Sequence, residues 1–383
     1  MKIVYCSTPS FADSDVPLIN ALCNSGNEVF YFVHIAPYSL KATLIDINNN
    51  NAGYGIFSES DFPEIQSFRR MIPKARLYLV NNPVGKNNLK ALRLSVQEAS
   101  AISAINPDVI HYIESPAPYH LPLLWANRKK VVCTIHDPVP HLNKMRFTER
   151  ICRKLSAKFI RKFVVLNKRQ SEGFCKLYNV PVSSIRYAEL GPYNYYTTSG
   201  QTPALPYKYV LMFGRITPYK GFEYGVRAFN SLPAKYDDIH LVMAGAGDIY
   251  FDESEYKNNR NITVLNRYLT QDEQVSLFQN ALFVLCPYTE ATQSGVVQTA
   301  FGLGVPVVVT KVGALADCVE DGVTGYVVNE VTQEAINFTI QKVLSEPAKL
   351  DEMRENVKRS NDFGAHSWGN IAQKYLAIYN GEA

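Results

Sequence analysis

Residues Leu282–Val328 read LFVLCPYTEATQSGVVQTAFGLGVPVVVTKVGALADCVEDGVTGYVV, and this stretch decides the fold. The apolar run Leu282–Cys286 predicts a buried strand. It leads into a loop with one carboxylate, Glu290, and then a small-residue helix start at Thr292, Ser294 and Gly295. A second apolar run, Val305–Thr310, predicts the next strand, followed by a Gly-rich turn. Strand, loop, helix and strand in that order put Glu290 and a row of free backbone N–H groups at the carboxyl end of a parallel sheet, where open α/β sheets bind ligands. A helix N-terminus there suits an anion such as a diphosphate. A carboxylate beside it suits sugar hydroxyls.

Outward from this stretch the same alternation continues. Strand-like runs fall at Lys2–Cys6, Glu28–Val33, Arg76–Val80, Val109–Tyr112, Val131–Ile135, Phe163–Leu166 and Ile185–Ala188. They resume at Tyr209–Phe213, His240–Ala244 and Ile262–Leu265, with helix-length amphipathic segments between, the signature of parallel α/β layers. Thr270–Gln271–Asp272–Glu273 is a capping box that fixes a helix start. Ala36–Lys74 breaks the pattern and reads as an irregular loop. Pro192–Pro206, with Thr, Ser, Gly and Pro at its centre, is the best linker.

The chain has 383 residues, 46% of them hydrophobic, which is long for one core and makes two domains the expectation. A net charge of +4 favours neither nucleic acid nor membrane by itself. The seven cysteines are scattered, with no C-x-x-C pair, and read as reduced core residues. The start MKIVYCS goes straight into a strand without a signal-peptide h-region, and no apolar run approaches spanning length. A cytoplasmic protein is expected, peripheral at most on the inner face of the plasma membrane. Gly245–Ala246–Gly247 lacks the third glycine of a dinucleotide fingerprint, which argues against NAD. Asp13–Ser14–Asp15 imitates a D-x-D metal motif but sits at a helix start, where Asp is an ordinary cap.

Val210–Gly221 reads VLMFGRITPYKG, a strand that delivers Arg215 and Lys220 at its carboxyl end. With Phe213–Gly214–Arg215, Lys220–Gly221, Gly245–Ala246–Gly247, Glu290 and Gly304–Val305–Pro306–Val307, the chain resembles the donor half of retaining glycosyltransferases of family four. The close likeness spans about residues 208 to 328, and a looser one the whole chain. It implies the GT-B fold, two Rossmann-like domains facing a central cleft: residues 1–195 for the acceptor, 196–366 for the nucleotide-sugar, and a last helix, 367–383, crossing back onto the first domain. Ser367–Asn380 has the amphipathic spacing of such a helix.

The resemblance also implies roles. Arg215 and Lys220 would clamp the donor diphosphate and stabilise the charge that grows on it. Glu290 and His136, from Thr134–Ile135–His136 after a strand, would orient the donor sugar. Gly214, Gly245, Tyr268, Thr292, Gln293, Ser294 and Gly295 complete the donor-binding set. Gln298 stands where the family has a second Glu for the ribose; an amide can bind a diol, and it can equally be structural. Asp137 and His141 carry both a functional and a structural reading. His111 reads as packing.

The activity so implied is retaining transfer of a sugar, from a UDP- or GDP-sugar before others, to a sugar or lipid-linked acceptor in surface polysaccharide or glycolipid synthesis. It needs no metal and no cofactor, since the nucleotide-sugar is a substrate, and no nucleic acid. A nucleotide-sugar hydrolase or epimerase on the same fold, or a non-catalytic binding subunit, are the rival readings. From Lys144 to Arg169 a basic amphipathic helix, with Arg150, Lys154 and Lys158 in an i, i+4 stripe, reads either as a contact with anionic lipid or as a solvated outer face.

Overall fold

The computed structural model describes residues 1–382 apart from 41, 43, 48–51, 86, 87, 140–146 and 195–202. His141, Lys144, Arg146 and most of the linker stretch therefore lie outside the described residues. The chain forms two compact units, Met1–Leu190 with Trp368–Ala383, and Gly191–Ser367.

The strands of the first unit are β1 (Lys2–Ser7), β2 (Glu28–Ile35), β3 (Gly55–Ser58), β4 (Arg76–Asn81), β5 (Val109–Ile113), β6 (Val131–Ile135), β7 (Lys162–Val165) and β8 (Ile185–Tyr187). Its helices are α1 (Ala12–Asn24), α2 (Gln66–Met71), α3 (Leu89–Ile105), α4 (Leu121–Asn127), α5 (Phe147–Ser156) and α6 (Ser171–Tyr178). The second unit has strands β9 (Lys208–Phe213), β10 (Ile239–Ala244), β11 (Ile262–Leu265), β12 (Val284–Cys286), β13 (Val307–Thr310) and β14 (Gly325–Val328). Around them lie α7 (Phe222–Asn230), α8 (Ser254–Lys257), α9 (Gln271–Asn280), α10 (Gly295–Gly302), α11 (Gln333–Ser345) and α12 (Pro347–Phe363). The last helix, α13 (Trp368–Asn380), belongs to the first unit.

The first sheet runs β3-β4-β2-β1-β5-β6-β7-β8, parallel except for β3, which is antiparallel to β4. The second runs β11-β10-β9-β12-β13-β14 and is parallel throughout. Its central strands β9, β10, β12 and β13 are largely apolar because both faces are covered, whereas edge strand β11 is half-buried. Side chains alternate between faces along a strand, so Val210 and Met212 of β9 enter one core and Tyr209 and Leu211 the other. β10 and β12 divide their residues in the same way. The capping box at Thr270 is formed, with both of its hydrogen bonds to Glu273 present.

The return of α13 is held by buried polar contacts. His111 of β5 bonds Tyr379 Oη through Nδ1 at 2.7 Å and Thr134 Oγ1 through Nε2 at 2.7 Å. Tyr375 Oη meets the same threonine at 3.1 Å. Lys162 Nζ donates to the carbonyls of Ile378 and Tyr379, capping the helix's C-terminal end. His111 is thus packing, as its sequence context suggests.

Two expectations are corrected. Ala36–Lys74 is not wholly irregular: β3 extends the sheet and α2 packs through Ile65, Phe68 and Ile72, all buried. Their i, i+3, i+7 spacing is one helix face. Asp15 is not a cap: the N-cap of α1 is Phe11, and the Asp15 carboxylate is buried, accepting Tyr5 Oη and Tyr31 Oη at 2.8 Å each.

Burial lifts the Asp15 carboxyl to about 7, against the hydrogen bonds that favour its charge. An unfolded Asp titrates near 3.9. Between these values the folded chain holds a proton the unfolded chain has lost, so the stabilisation is complete below about pH 4 and is lost as pH rises to about 7. Asp15→Asn should therefore remove a slope of roughly 1 kcal/mol per pH unit from the unfolding free energy over that window. Denaturant melts of both proteins from pH 4 to pH 8 check this; parallel curves would assign the titration elsewhere.

Candidate active site

In the second sheet the chain winds outward from β9 to β11, then crosses to β12 on the other side of β9. The loops after β9 and β12 therefore leave the sheet in opposite directions and open a crevice at their carboxyl ends, the place where such sheets bind ligands. Arg215 and Lys220 lie in the first of these loops, and Glu290 to Ser294 in the second.

The two loops are packed on each other. Thr289 N–H donates to Tyr219 O at 2.9 Å. Gly214, at φ 107°, sits directly under the Lys220 ammonium: a Cβ there would stand 2.3 Å from Nζ. Gly245, at φ 139°, lies against the Gly214 carbonyl, which a Cβ would meet at 2.2 Å. Both positions need glycine for backbone angle, and Gly245 needs it for space as well. Asn266 pins the following turn by bonding both the N–H and the carbonyl of Gly247, at 3.0 and 2.9 Å.

Lys220 is 8% exposed, with Nζ 5.3 Å from the centre of the Tyr288 ring. Burial lowers its pKa to about 8; nearby Cys286 opposes the shift and Arg215 adds to it. Arg215 itself is exposed. Ser294 caps α10, its Oγ accepting from Val297 N–H at 3.3 Å and donating to Tyr288 Oη at 3.3 Å. Tyr288 thus joins the lysine to the helix start, a role its sequence did not announce. Glu290 and Gly295 are exposed, with Thr292 and Gln293 half-buried between them. Gly245, Gly214, Lys220, Tyr288 and Ser294 thus form one packed group, with Arg215, Glu290, Thr292, Gln293 and Gly295 beside it on the same two loops and the helix start.

Tyr268 stands apart from this group, and Gln298, whose N–H bonds the Ser294 carbonyl at 3.2 Å, turns its side chain to other partners. Tyr268 is 88% exposed in the loop after β11. Gln298, on α10, is buried; its amide Nε2 is 3.6 Å from Cys318 Sγ, and its carbonyl accepts from Tyr193 N–H. It lines a cavity of about 220 Å³ with Phe301, Asp317, Cys318 and Asn361.

His136 belongs to the first unit. Its ring packs against Phe11 at 4.6 Å, and burial lowers its pKa to about 4, so the imidazole is neutral near pH 7. The residue that organises this loop is Glu114, in the left-handed region at φ 62°. Its Oε1 accepts from the His136 N–H at 2.8 Å, and its Oε2 pairs with Arg153 at 2.6 Å. A non-glycine residue held there costs on the order of 1 kcal/mol and needs surrounding contacts to persist. Asp137 N–H lies 3.4 Å from the same carboxylate.

The basic run Lys144–Arg169 is not one helix. α5 ends at Ser156 and β7 begins at Lys162, so the run is a ten-residue helix, a turn and a strand. Arg153 is used by Glu114 and Lys162 by the end of α13. Arg150, Lys154 and Lys158 are exposed beside Ile151 and Leu155, which are 42% and 38% exposed.

Residues 200–360 match the family model described as glycosyl transferases group 1. The chain is 25% identical over 231 residues to an uncharacterized glycosyltransferase of Methanocaldococcus jannaschii, covering 56% of this chain and 59% of that protein. It thus spans less than two thirds of that relative's length. It is 23% identical over 279 residues to a phosphatidyl-myo-inositol mannosyltransferase of Propionibacterium freudenreichii, covering 72% of this chain and 70% of that one. The crystal structure of Anabaena Alr3699/HepE in complex with UDP shares the fold, with a TM-score of 0.62 at 13% identity over 100% of both chains. The fold is GT-B, and the chain is related to glycosyltransferases. The family match falls on the unit that carries Arg215, Lys220 and Glu290.

A buried lysine with few polar partners burdens stability unless an anion meets it. Lys220→Met should keep or raise the melting temperature while weakening binding of a nucleoside diphosphate by a factor of about 100 or more. In the natural protein that binding should fall as pH rises above about 8. Calorimetric titration from pH 7 to pH 9.5 checks both; equal affinity in the variant would remove Lys220 from the anion site.

Proposed function

We propose that this chain is a retaining glycosyltransferase that moves a sugar from a nucleotide-diphospho-sugar to an acceptor hydroxyl. The observation that carries this reading is the buried Lys220 ammonium, packed with Tyr288 and the Ser294 helix start in the loops after β9 and β12. As the bond from the anomeric carbon to the diphosphate breaks, negative charge grows on the leaving group. Lys220, Arg215 and the N–H groups at the start of α10 would stabilise it. Fixed cations of this kind do the work a metal does in other transferases. The acceptor oxygen forms the new bond on the same face of the sugar, through an oxocarbenium-like transition state, and its proton leaves with the diphosphate.

Glu290, exposed beside the helix start, is assigned to the donor sugar's hydroxyls. His136 is assigned to the sugar by resemblance, as a neutral imidazole held by Glu114. A uridine nucleotide is the first donor to try, because the Anabaena structure of the same fold contains UDP. Gln298 is a weak candidate for the ribose, since its amide is buried and engaged with Cys318. The role in surface polysaccharide or glycolipid synthesis, with the first unit holding the acceptor, belongs to the same proposal.

The test is a thermal-shift screen of nucleotide-sugars, followed by product analysis with candidate acceptors. A ligand at about 100 times its Kd should stabilise by roughly 2.7 kcal/mol. Arg215→Ala and Glu290→Gln should each lower kcat/KM about a hundredfold or more with the fold intact. Turnover without an acceptor would mean hydrolysis, and near-normal kcat/KM in both variants would reject the assigned roles.

A lipid-linked acceptor is proposed from the exposed Ile151 and Leu155, which lie between Arg150 and Lys154 on α5 and Lys158 in the turn after it. Among the described residues no helix is long and apolar enough to cross a membrane, so contact would be peripheral. Each basic residue at an anionic surface contributes about 1 kcal/mol, fading with salt. The natural protein should sediment with anionic liposomes at low salt, and a variant with Arg150, Lys154 and Lys158 all changed to Glu should not. Failure of the natural protein to sediment would favour a soluble acceptor.

A further inference from the structure

A second group of converging side chains lies in the first unit. His34 stands near the end of β2, Glu98 in the middle of α3, and His120 closes the single 3₁₀ turn after β5. Three segments far apart in sequence bring His34 Nε2 to 2.8 Å from Glu98 Oε1, and His120 Nδ1 to 3.3 Å from Glu98 Oε2. One donor atom from each of the three lies within 4.8 Å of the others.

We propose that His34, Glu98 and His120 bind a divalent transition metal of the Zn²⁺ class, with water as the fourth ligand.

The decisive observation is what the buried atoms lack. Glu98 is fully buried, yet its Oε2 has no hydrogen-bond partner, and neither has His120 Nδ1. The two atoms lie 3.3 Å apart outside hydrogen-bond geometry, so neither satisfies the other by a hydrogen bond. Leaving one buried polar atom unsatisfied costs about 1–3 kcal/mol, and more for a charged one. A metal ion takes both. Ligands 2.0–2.1 Å from a tetrahedral Zn²⁺ are about 3.4 Å from one another; the His120–Glu98 separation matches this, and the 2.8 Å His34–Glu98 hydrogen bond would open by about half an ångström to admit the ion.

Two imidazoles and one carboxylate form an N₂O donor set suited to Zn²⁺. The His34 side chain is 16% exposed, which gives an ion and its water a route in. A metal there would clip β2, α3 and the segment after β5 together, and the water position would stay open to exchange.

The full chain, stripped with EDTA and dialysed, should bind one Zn²⁺ per molecule in a titration against a chromophoric chelator. Zn²⁺ should also raise its melting temperature, and Co²⁺ in its place should give the visible absorption of a tetrahedral site. His34→Gln and Glu98→Gln should each lower Zn²⁺ affinity at least tenfold and abolish the Zn²⁺-induced melting shift. His34 reaches the surface, so His34→Gln tests the site even where Glu98→Gln fails to fold. Absence of Zn²⁺ binding by the natural chain, or equal binding by a folded His34→Gln protein, overturns the proposal.

Discussion

The reversal of strand order between β9 and β12 is the constraint on which the rest of the candidate site depends. Neighbouring parallel strands whose connections run to opposite sides cannot fill the space above their shared edge. The loops that flank this gap carry every residue of the packed group except Gly245, and they are tied by the Thr289–Tyr219 bond. Gly214 and Gly245 follow from the same constraint: with the loops pressed this closely, backbone lies on backbone, and the Lys220 ammonium lies over a residue without a side chain.

Burial of Lys220 turns that geometry into chemistry. Its fall from 10.5 to about 8 corresponds to roughly 3 kcal/mol against the charged form. On the proposed reading an arriving diphosphate would reverse this penalty, and the growing charge of a departing one would do so further. The lysine is held in place before the ligand arrives, which is the condition under which an electrostatic contact is most effective. His136 shows the complementary device: Glu114, strained and paired with Arg153, fixes the loop by a main-chain bond, while burial leaves the imidazole neutral.

Much of the fold was legible because uninterrupted apolar runs mark strands covered on both faces, as β9, β10, β12 and β13 are. The Thr270 capping box was legible because its chemistry is local. β3 and α2 were not, since each is short and their support comes from distant contacts. β14, four residues after a Gly-rich turn, was missed for the same reason. In the site, Arg215, Lys220, Glu290 and Ser294 could be picked out by position after a strand. Glu114 could not: its importance rests on a positive φ and on partners 22 and 39 residues away. Charge counting likewise overrated the run 144–169, because Arg153 and Lys162 are spent inside the first unit and β7 divides the run. The pairing of Gln298 with Cys318 across 20 residues was equally invisible.

The most direct test of the account is amide hydrogen exchange with and without a bound nucleoside diphosphate, beginning with UDP. If the crevice between β9 and β12 holds the diphosphate, protection should rise in 214–221 and in 289–298, with the N–H groups at the start of α10 slowed most. Binding that leaves both segments unchanged, with protection confined to other parts of the chain, would contradict it.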